Sequence, residues 1–195
     1  MTGAIFLDRD GVINKCVRGK WTDHEDDFEL YPYTIEALKL LQRTNVPIFV
    51  VTNQSGIARG TLKHSEYYKI TYKMLRLFEE SDIEIARVYE CMHPKDGSVN
   101  CSCRKPKTGM VQQAIKDYEL HGKMWMVGDM FTDIAMAHAA NLTPIMVKTG
   151  LFNEEECQKA VDLTRELGKD LYIDTDLYKA SQRIVKCSPA PGNTS

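Results

Sequence analysis

The sequence has no surplus of charge of either sign: 25 Lys and Arg stand against 27 Asp and Glu in 195 residues, a formal net charge of −2. A chain so balanced carries no electrostatic footprint for nucleic acid or an anionic membrane, so neither is expected as a partner. Long apolar runs are missing too. The longest, such as residues 46–51 around one proline, fall far short of the roughly 20 residues that cross a bilayer. The opening MTGAIFLDRDG has no basic segment, no extended apolar stretch and no small-residue cleavage site, so a cytoplasmic location is expected. There is no internal repeat, and the one low-complexity stretch is residues 188–195 (SPAPGNTS), expected to be a disordered tail.

What is present is an ordinary globular composition, 43% hydrophobic and 27% charged. One domain is expected over residues 1–187, with a core at 4–150 and a C-terminal extension at 151–187; a monomer is compatible with this size. Short apolar runs at 4–7, 46–51, 85–89, 124–127 and 144–147 alternate with stretches of helical periodicity near 34–43, 65–80, 109–118 and 132–140. That alternation predicts an α/β fold, and runs that are apolar throughout predict strands covered on both faces, hence a doubly wound, Rossmann-like parallel sheet. In such a sheet ligands bind beyond the carboxyl ends of the strands, where strand order reverses. The extension reads as a helix near 154–167, a short apolar piece near 171–173 and a last helix near 177–185.

Four of the apolar runs end in functional-looking polar residues: Asp8-Arg9-Asp10-Gly11, Thr52-Asn53-Gln54-Ser55-Gly56, Cys91-Met92-His93 and Gly128-Asp129. Asp8 and Asp10, two apart at a strand end, would project to the same side, and adjacent carboxylates repel unless a cation intervenes. With Asp129 they would form a hard oxygen cage suited to Mg²⁺ and a phosphate; met alone, the Asp-x-Asp-Gly segment is equally an ordinary acidic turn. Thr52 offers a hydroxyl and following amides for phosphoryl oxygens, and Lys105 offers a cation for charge that grows on them.

Cysteine use points to a second metal. Of six cysteines, Cys91, Cys101 and Cys103 lie within thirteen residues and enclose His93, giving C-x-H-x7-C-x-C. Four soft or borderline donors suit a closed tetrahedral Zn²⁺ site; the alternative is a set of unrelated buried thiols beside a surface histidine. Arg104 and Lys105 follow Cys103 directly, so such a zinc would pin a polar loop and fix two cations over the phosphoryl site.

The ordered set Asp8-x-Asp10-Gly11, Thr52, Lys105 and Gly128-Asp129-x-x-x-Asp133 resembles the four motifs of the haloacid dehalogenase (HAD) superfamily of phosphatases over about residues 4–150. The resemblance implies a phosphatase with Asp8 as nucleophile, Asp10 as general acid and then base, and Thr52 and Lys105 on the phosphoryl group. It implies Mg²⁺ held by the Asp8 and Asp129 carboxylates and the Asp10 backbone carbonyl, with Asp133 in support. The segment Asn53, Gln54, Ser55 through Arg59 is similar to a branch acting on a heptose bisphosphate, a small-molecule sugar phosphate, rather than on histidinol phosphate. Asn53, Gln54, Ser55, Arg59 and Arg104 would then bind substrate, with Arg18 a further candidate. No large cap domain is expected over the site. A zinc-stabilised binding protein without catalysis is the reading from another class, and the presence of every acid and of Lys105 weighs against it.

Overall fold

The structure is a computed structural model that describes residues 2–16 and 22–188. Arg18 and the tail from residue 189 lie outside the described residues. Six parallel strands form one sheet in the order β3-β2-β1-β4-β5-β6, with β1 Thr2–Leu7, β2 Ile48–Asn53, β3 Arg87–Cys91, β4 His121–Gly128, β5 Thr143–Val147 and β6 Tyr172–Asp174. Helices α1 Thr34–Gln42, α2 Ser55–Ala58, α3 His64–Glu79, α4 Gly109–Tyr118, α5 Phe131–Ala139, α6 Glu154–Glu166 and α7 Leu177–Cys187 connect and cover the strands. This is the doubly wound α/β arrangement that the alternating pattern predicts, without a large cap. Among the described residues no helix is long and apolar enough to cross a membrane.

Burial on both faces accounts for the apolar strands. Ile5, Leu7, Val50, Trp125, Val127, Ile145 and Val147 pack in one layer with Leu38 and Leu41 of α1, Ile70 and Met74 of α3, and Ile184 of α7. Their neighbours Ala4, Phe6, Phe49, Val51 and Met126 face the other way, onto Val111 and Ala114 of α4 and Met136 and Ala137 of α5. Alternation along a strand thus serves two cores rather than a core and solvent. Phe49 anchors the second layer, stacked on Phe6 at 5.2 Å and edge-on to Tyr118 at 4.9 Å between ring centroids.

Three differences from the sequence reading bear on the site. First, β2 runs on through Thr52 and Asn53, and β3 ends on Cys91, because the register Asn53↔Cys91 keeps pairing past the apolar residues. Hydrogen bonding, not hydrophobicity, sets those strand ends. Second, a single short helix, α2, occupies the expected Gly56 turn. Third, residues 151–187 supply the edge strand β6, paired Val147↔Asp174, and α7, which buries Leu177, Ala180 and Ile184 in the first core layer. The edge is fixed by Arg183, which donates to both oxygens of Asp174 at 2.8 and 2.7 Å.

Strand order reverses between β1 and β4, which are neighbours in space with Leu7 opposite Val127. The next residues after each, Asp8 and Asp129, therefore leave the sheet side by side.

Candidate active site

Three carboxylates meet at this point: one oxygen from each of Asp8, Asp129 and Asp133 lies within 4.8 Å of the others, and all three residues are buried. Asp133 arrives from the first turn of α5, where its Oδ2 accepts from the Met130 N–H at 3.1 Å. Gly128 makes this possible, since a Cβ there would overlap the Asp133 side chain. Lys105, 3% exposed, reaches the cluster from the loop after β3. Its Nζ lies 2.7 Å from Asp8 Oδ1 and 2.7 Å from Asp133 Oδ1, and it donates to the Val51 carbonyl at 3.0 Å. An ammonium has three N–H donors, and here each has a protein acceptor.

Electrostatics in the cluster is lopsided. Three acids surround one ammonium, which leaves two negative charges uncompensated. Burial, opposed by Lys105 and reinforced by Asp133 and Asp10, pushes the Asp8 carboxyl up to about 7. Burial, with the charges of Asp8 and Asp133, lifts Asp129 well above the usual carboxylate range. Burial alone would pull the Lys105 ammonium down, but Asp133 and Asp8 outweigh it and hold the group charged.

The donor set fits a divalent cation. Asp129 Oδ1 is buried with no hydrogen-bond partner among the described residues, while its Oδ2 accepts from the Leu151 N–H at 2.7 Å. Asp8 Oδ1 is held by the Arg9 N–H at 2.7 Å and by Lys105, and no described residue donates to Asp8 Oδ2. Hard oxygens that lack donors, beside a charge deficit of two, are what Mg²⁺ would complete. Gly11 and Gly150, at φ +90° and +61°, pack against each other beside the cluster, and a Cβ on either would overlap Asp129 Oδ2.

Asp10 corrects the sequence reading. Its carboxylate does not join the oxygen cage, where Asp133 stands instead. Oδ1 accepts from Arg9 Nε at 3.2 Å, Arg9 Nη2 at 3.0 Å and Asn14 Nδ2 at 3.1 Å. Oδ2 accepts from Arg9 Nη2 at 2.9 Å and Gln54 Nε2 at 2.7 Å. Burial would raise this carboxyl, but the Arg9 charge and the hydrogen bonds from Arg9, Asn14 and Gln54 outweigh it and hold it below its ordinary value. The reason for the turn is local: Arg9, Asn14 and Gln54 all donate to this carboxylate, and the neighbouring anions repel it from the cage.

Several expected substrate contacts are engaged inside the protein. Asn53 grips the Lys105 backbone from both sides, accepting from its N–H at 3.1 Å and donating to its carbonyl at 3.2 Å. Gln54 donates to Asp10 and to Thr52 Oγ1 at 2.8 Å, and its own N–H donates to the Cys91 carbonyl at 2.8 Å. Thr52 is buried beside it. Ser55 Oγ accepts from Arg59 Nη1 at 2.6 Å, and Arg59 is exposed at the end of α2. Arg104 is half-buried and donates to the His93 carbonyl at 3.3 Å.

Cys91, His93, Cys101 and Cys103 do converge, with all four donor atoms within 4.8 Å of one another. Cys91 Sγ lies 3.0 Å from Cys103 Sγ, 3.9 Å from Cys101 Sγ and 3.5 Å from His93 Nδ1. Thiolates around a tetrahedral zinc sit about 3.7 Å apart, so the cluster is compact enough. Burial and the adjacent Cys91 push the Cys103 thiol up to about 12, the resistance to ionisation that a bound cation would reverse. All six cysteines are free of disulfides.

A family model described as HAD-hydrolase-like matches residues 102–172. The chain is 38% identical over 167 residues to D-glycero-beta-D-manno-heptose-1,7-bisphosphate 7-phosphatase of Haemophilus ducreyi, covering 82% of this chain and 91% of that protein. It is 37% identical over 156 residues to the Campylobacter jejuni D-glycero-alpha-D-manno-heptose-1,7-bisphosphate 7-phosphatase, covering 80% and 85%. Among solved structures, D,D-heptose 1,7-bisphosphate phosphatase from B. bronchiseptica, complexed with magnesium and phosphate, superposes with a TM-score of 0.78 at 26% identity, covering 94% of this chain and 98% of that one.

Proposed function

Because this chain belongs to the D-glycero-D-manno-heptose-1,7-bisphosphate 7-phosphatase family of HAD-like hydrolases, we propose that it removes the C7 phosphate of such a heptose bisphosphate. The observation that carries the chemistry is the buried carboxylate cluster with its single ammonium, set at the strand switch point beside a separately clamped fourth acid.

In this reading Asp8 attacks phosphorus. As the bond from phosphorus to the sugar oxygen breaks, Asp10 in its acid form gives that oxygen its proton, so that a poor alkoxide leaves as an alcohol. Water then gives a proton to the Asp10 carboxylate and adds to the phosphorus of the aspartyl phosphate, which frees inorganic phosphate and restores Asp8. Asp8, Asp129 and the backbone carbonyl of Asp10 would hold Mg²⁺, which would supply the positive charge that lets anionic substrate and anionic nucleophile approach. Lys105 keeps Asp8 oriented, Thr52 faces the phosphoryl group, and Arg59 and Arg104 are left to meet the second phosphate. Ser55 orients Arg59, while Asn53 and Gln54 hold the loop and Asp10 from within.

The relatives include enzymes named for each anomer, so the substrate test is a side-by-side comparison of kcat/KM on the alpha and beta bisphosphates, histidinol phosphate and fructose bisphosphate. One heptose anomer is expected to exceed histidinol phosphate, which lacks a second phosphate, by at least about 100-fold, and to exceed fructose bisphosphate, which has one on a differently shaped sugar, by a smaller factor. Equal or better turnover of histidinol phosphate would overturn the substrate assignment and leave the phosphatase intact.

Zn²⁺ held by Cys91, His93, Cys101 and Cys103 completes the reading. The support is positional: Cys103 stands two residues before Lys105, and the Cys91 carbonyl takes the N–H of Gln54. Stripping zinc should therefore lower both the thermal midpoint and the rate, and Cys103→Ser should purify with much less than one zinc per chain by elemental analysis. Demonstrably zinc-free protein with full activity and an unchanged midpoint would refute the assignment.

A further inference from the structure

The one fully buried guanidinium near the site is not among the residues the motifs single out. Arg9 is 1% exposed and sits beneath the site between two acids. Its Nη2 spans both oxygens of Asp10, at 3.0 and 2.9 Å, and its Nε adds a third bond to Oδ1 at 3.2 Å. The guanidinium lies over the Tyr67 ring, 5.7 Å from its centroid, and Nη1 has no hydrogen-bond partner among the described residues. Sealing a guanidinium with one nitrogen unpaired is costly, so packing alone gives no reason to keep it.

Asp10 supplies the reason. Its side chain is 22% exposed, at the rim of the site, and it precedes Gly11, whose φ of +90° gives the backbone little bulk to restrain it. A carboxylate there is free to turn unless something holds it. Asn14 and Gln54 each reach one oxygen, and only Arg9 reaches both.

We propose that Arg9 is a positioning residue, which clamps Asp10 across both oxygens and aims it at the leaving oxygen and the hydrolytic water. This rests on the phosphatase reading above. The Arg9 guanidinium contacts Asp10 and the Tyr67 ring, and in this proposal its side chain acts through Asp10.

A leaving-group comparison separates this role from a merely structural one. A sugar phosphate needs a proton for its departing alkoxide, whereas 4-nitrophenyl phosphate expels a stable phenolate. Hydrolysis of the aspartyl phosphate needs Asp10 in both cases. Arg9→Met should lower kcat on the heptose bisphosphate by about 100-fold with KM within about twofold, the size of a lost general acid–base contribution. On 4-nitrophenyl phosphate the first equivalent of phenolate should appear within about tenfold of the wild-type rate, followed by slow turnover, a burst that marks accumulated phosphoenzyme. Arg9→Lys keeps the charge without the fork, should show the same selectivity to a smaller degree, and carries the test if Arg9→Met does not fold. In folded variants, a fall of the phenolate burst rate as large as the fall in kcat on the heptose bisphosphate, or no fall in either, would overturn the clamp. Wild-type protein with Mg²⁺ that releases no phosphate from the heptose bisphosphate would refute the phosphatase reading itself, whereas active wild type with folded Arg9 variants that show no burst would refute the clamp alone.

Discussion

Asp8→Asn is expected to lower phosphate release by at least about 10⁴-fold, the scale on which removal of a covalent nucleophile registers, while the protein stays folded. The two halves of that expectation come from different features of the same residue. Asparagine has the shape of aspartate, so the Arg9 N–H that donates to Asp8 Oδ1 at 2.7 Å keeps its acceptor, as does Lys105. An amide oxygen is, however, too weak a nucleophile to open a phosphate ester, and it gives no acyl phosphate from which water can regenerate the enzyme.

Stability moves the other way. Asp8 is 8% exposed, and its carboxyl is pushed up to about 7, mostly by burial. The fold is burdened by that charge rather than held together by it, so in metal-free buffer the thermal midpoint of Asp8→Asn should equal or exceed that of the wild type. Phosphate release assays and thermal melts decide the matter. A variant within 100-fold of the wild-type rate would exclude an aspartyl intermediate at Asp8; a variant that is inactive because it is unfolded would contradict the account of the cluster as strained.

This separation of function from stability also explains what could be read from the sequence. Strand and helix alternation, the two-sided burial of runs such as 4–7, and the emergence of Asp8, Thr52, Cys91 and Asp129 at one sheet edge all follow from period and composition. The convergence of Cys91, His93, Cys101 and Cys103 follows from spacing, because four donors in thirteen residues have little room to diverge. The sequence is mute where a side chain chooses between partners. The residue pattern puts Asp10 and Asp133 alike near the oxygen cage, and the motif resemblance separates them; the structure adds that Arg9, Asn14 and Gln54 turn the Asp10 carboxylate aside while Asp133 faces Lys105. The available signal was a cation between two acids directly after an apolar run, which a linear pattern does not rank above an ordinary turn. Asn53 and Gln54 are a similar case: polar residues at a strand end look like substrate contacts until the register Asn53↔Cys91 shows them facing their own loop. The edge strand β6 escaped for a different reason. The apolar piece near 171–173 is visible in the sequence, but Tyr172–Asp174 is only three residues long and half-buried or exposed, too short a run to announce a strand.

Lys105→Met should cost more than catalysis. The ammonium is the only positive group paired with Asp8 and Asp133 among the described residues, at 2.7 Å to each, and it is 3% exposed. Methionine fills much of the same volume but leaves Asp8, Asp129 and Asp133 with three negative charges and no cation. Breaking a buried ion pair from one side costs about 3–5 kcal/mol, and urea denaturation of the metal-free variant should register a loss on that scale. Turnover should fall by about 10²–10³-fold, the cost of removing one preorganised positive group from a site where negative charge develops. Saturating Mg²⁺ should return part of the stability, because a divalent cation can take over the neutralisation, but not the rate, because Asp8 has lost the partner that orients it. The double variant Lys105→Met/Asp133→Asn makes the argument quantitative. Removing Asp133's charge along with the ammonium restores the balance of the wild-type cluster, so the double variant should be more stable than Lys105→Met alone, a coupling expected of side chains in one ion-pair network. It should remain as inactive as the single variant. If instead Lys105→Met were as stable as the wild type without metal, the ammonium would not be what holds the three acids together, and the charge deficit assigned to the magnesium site would have to be redrawn.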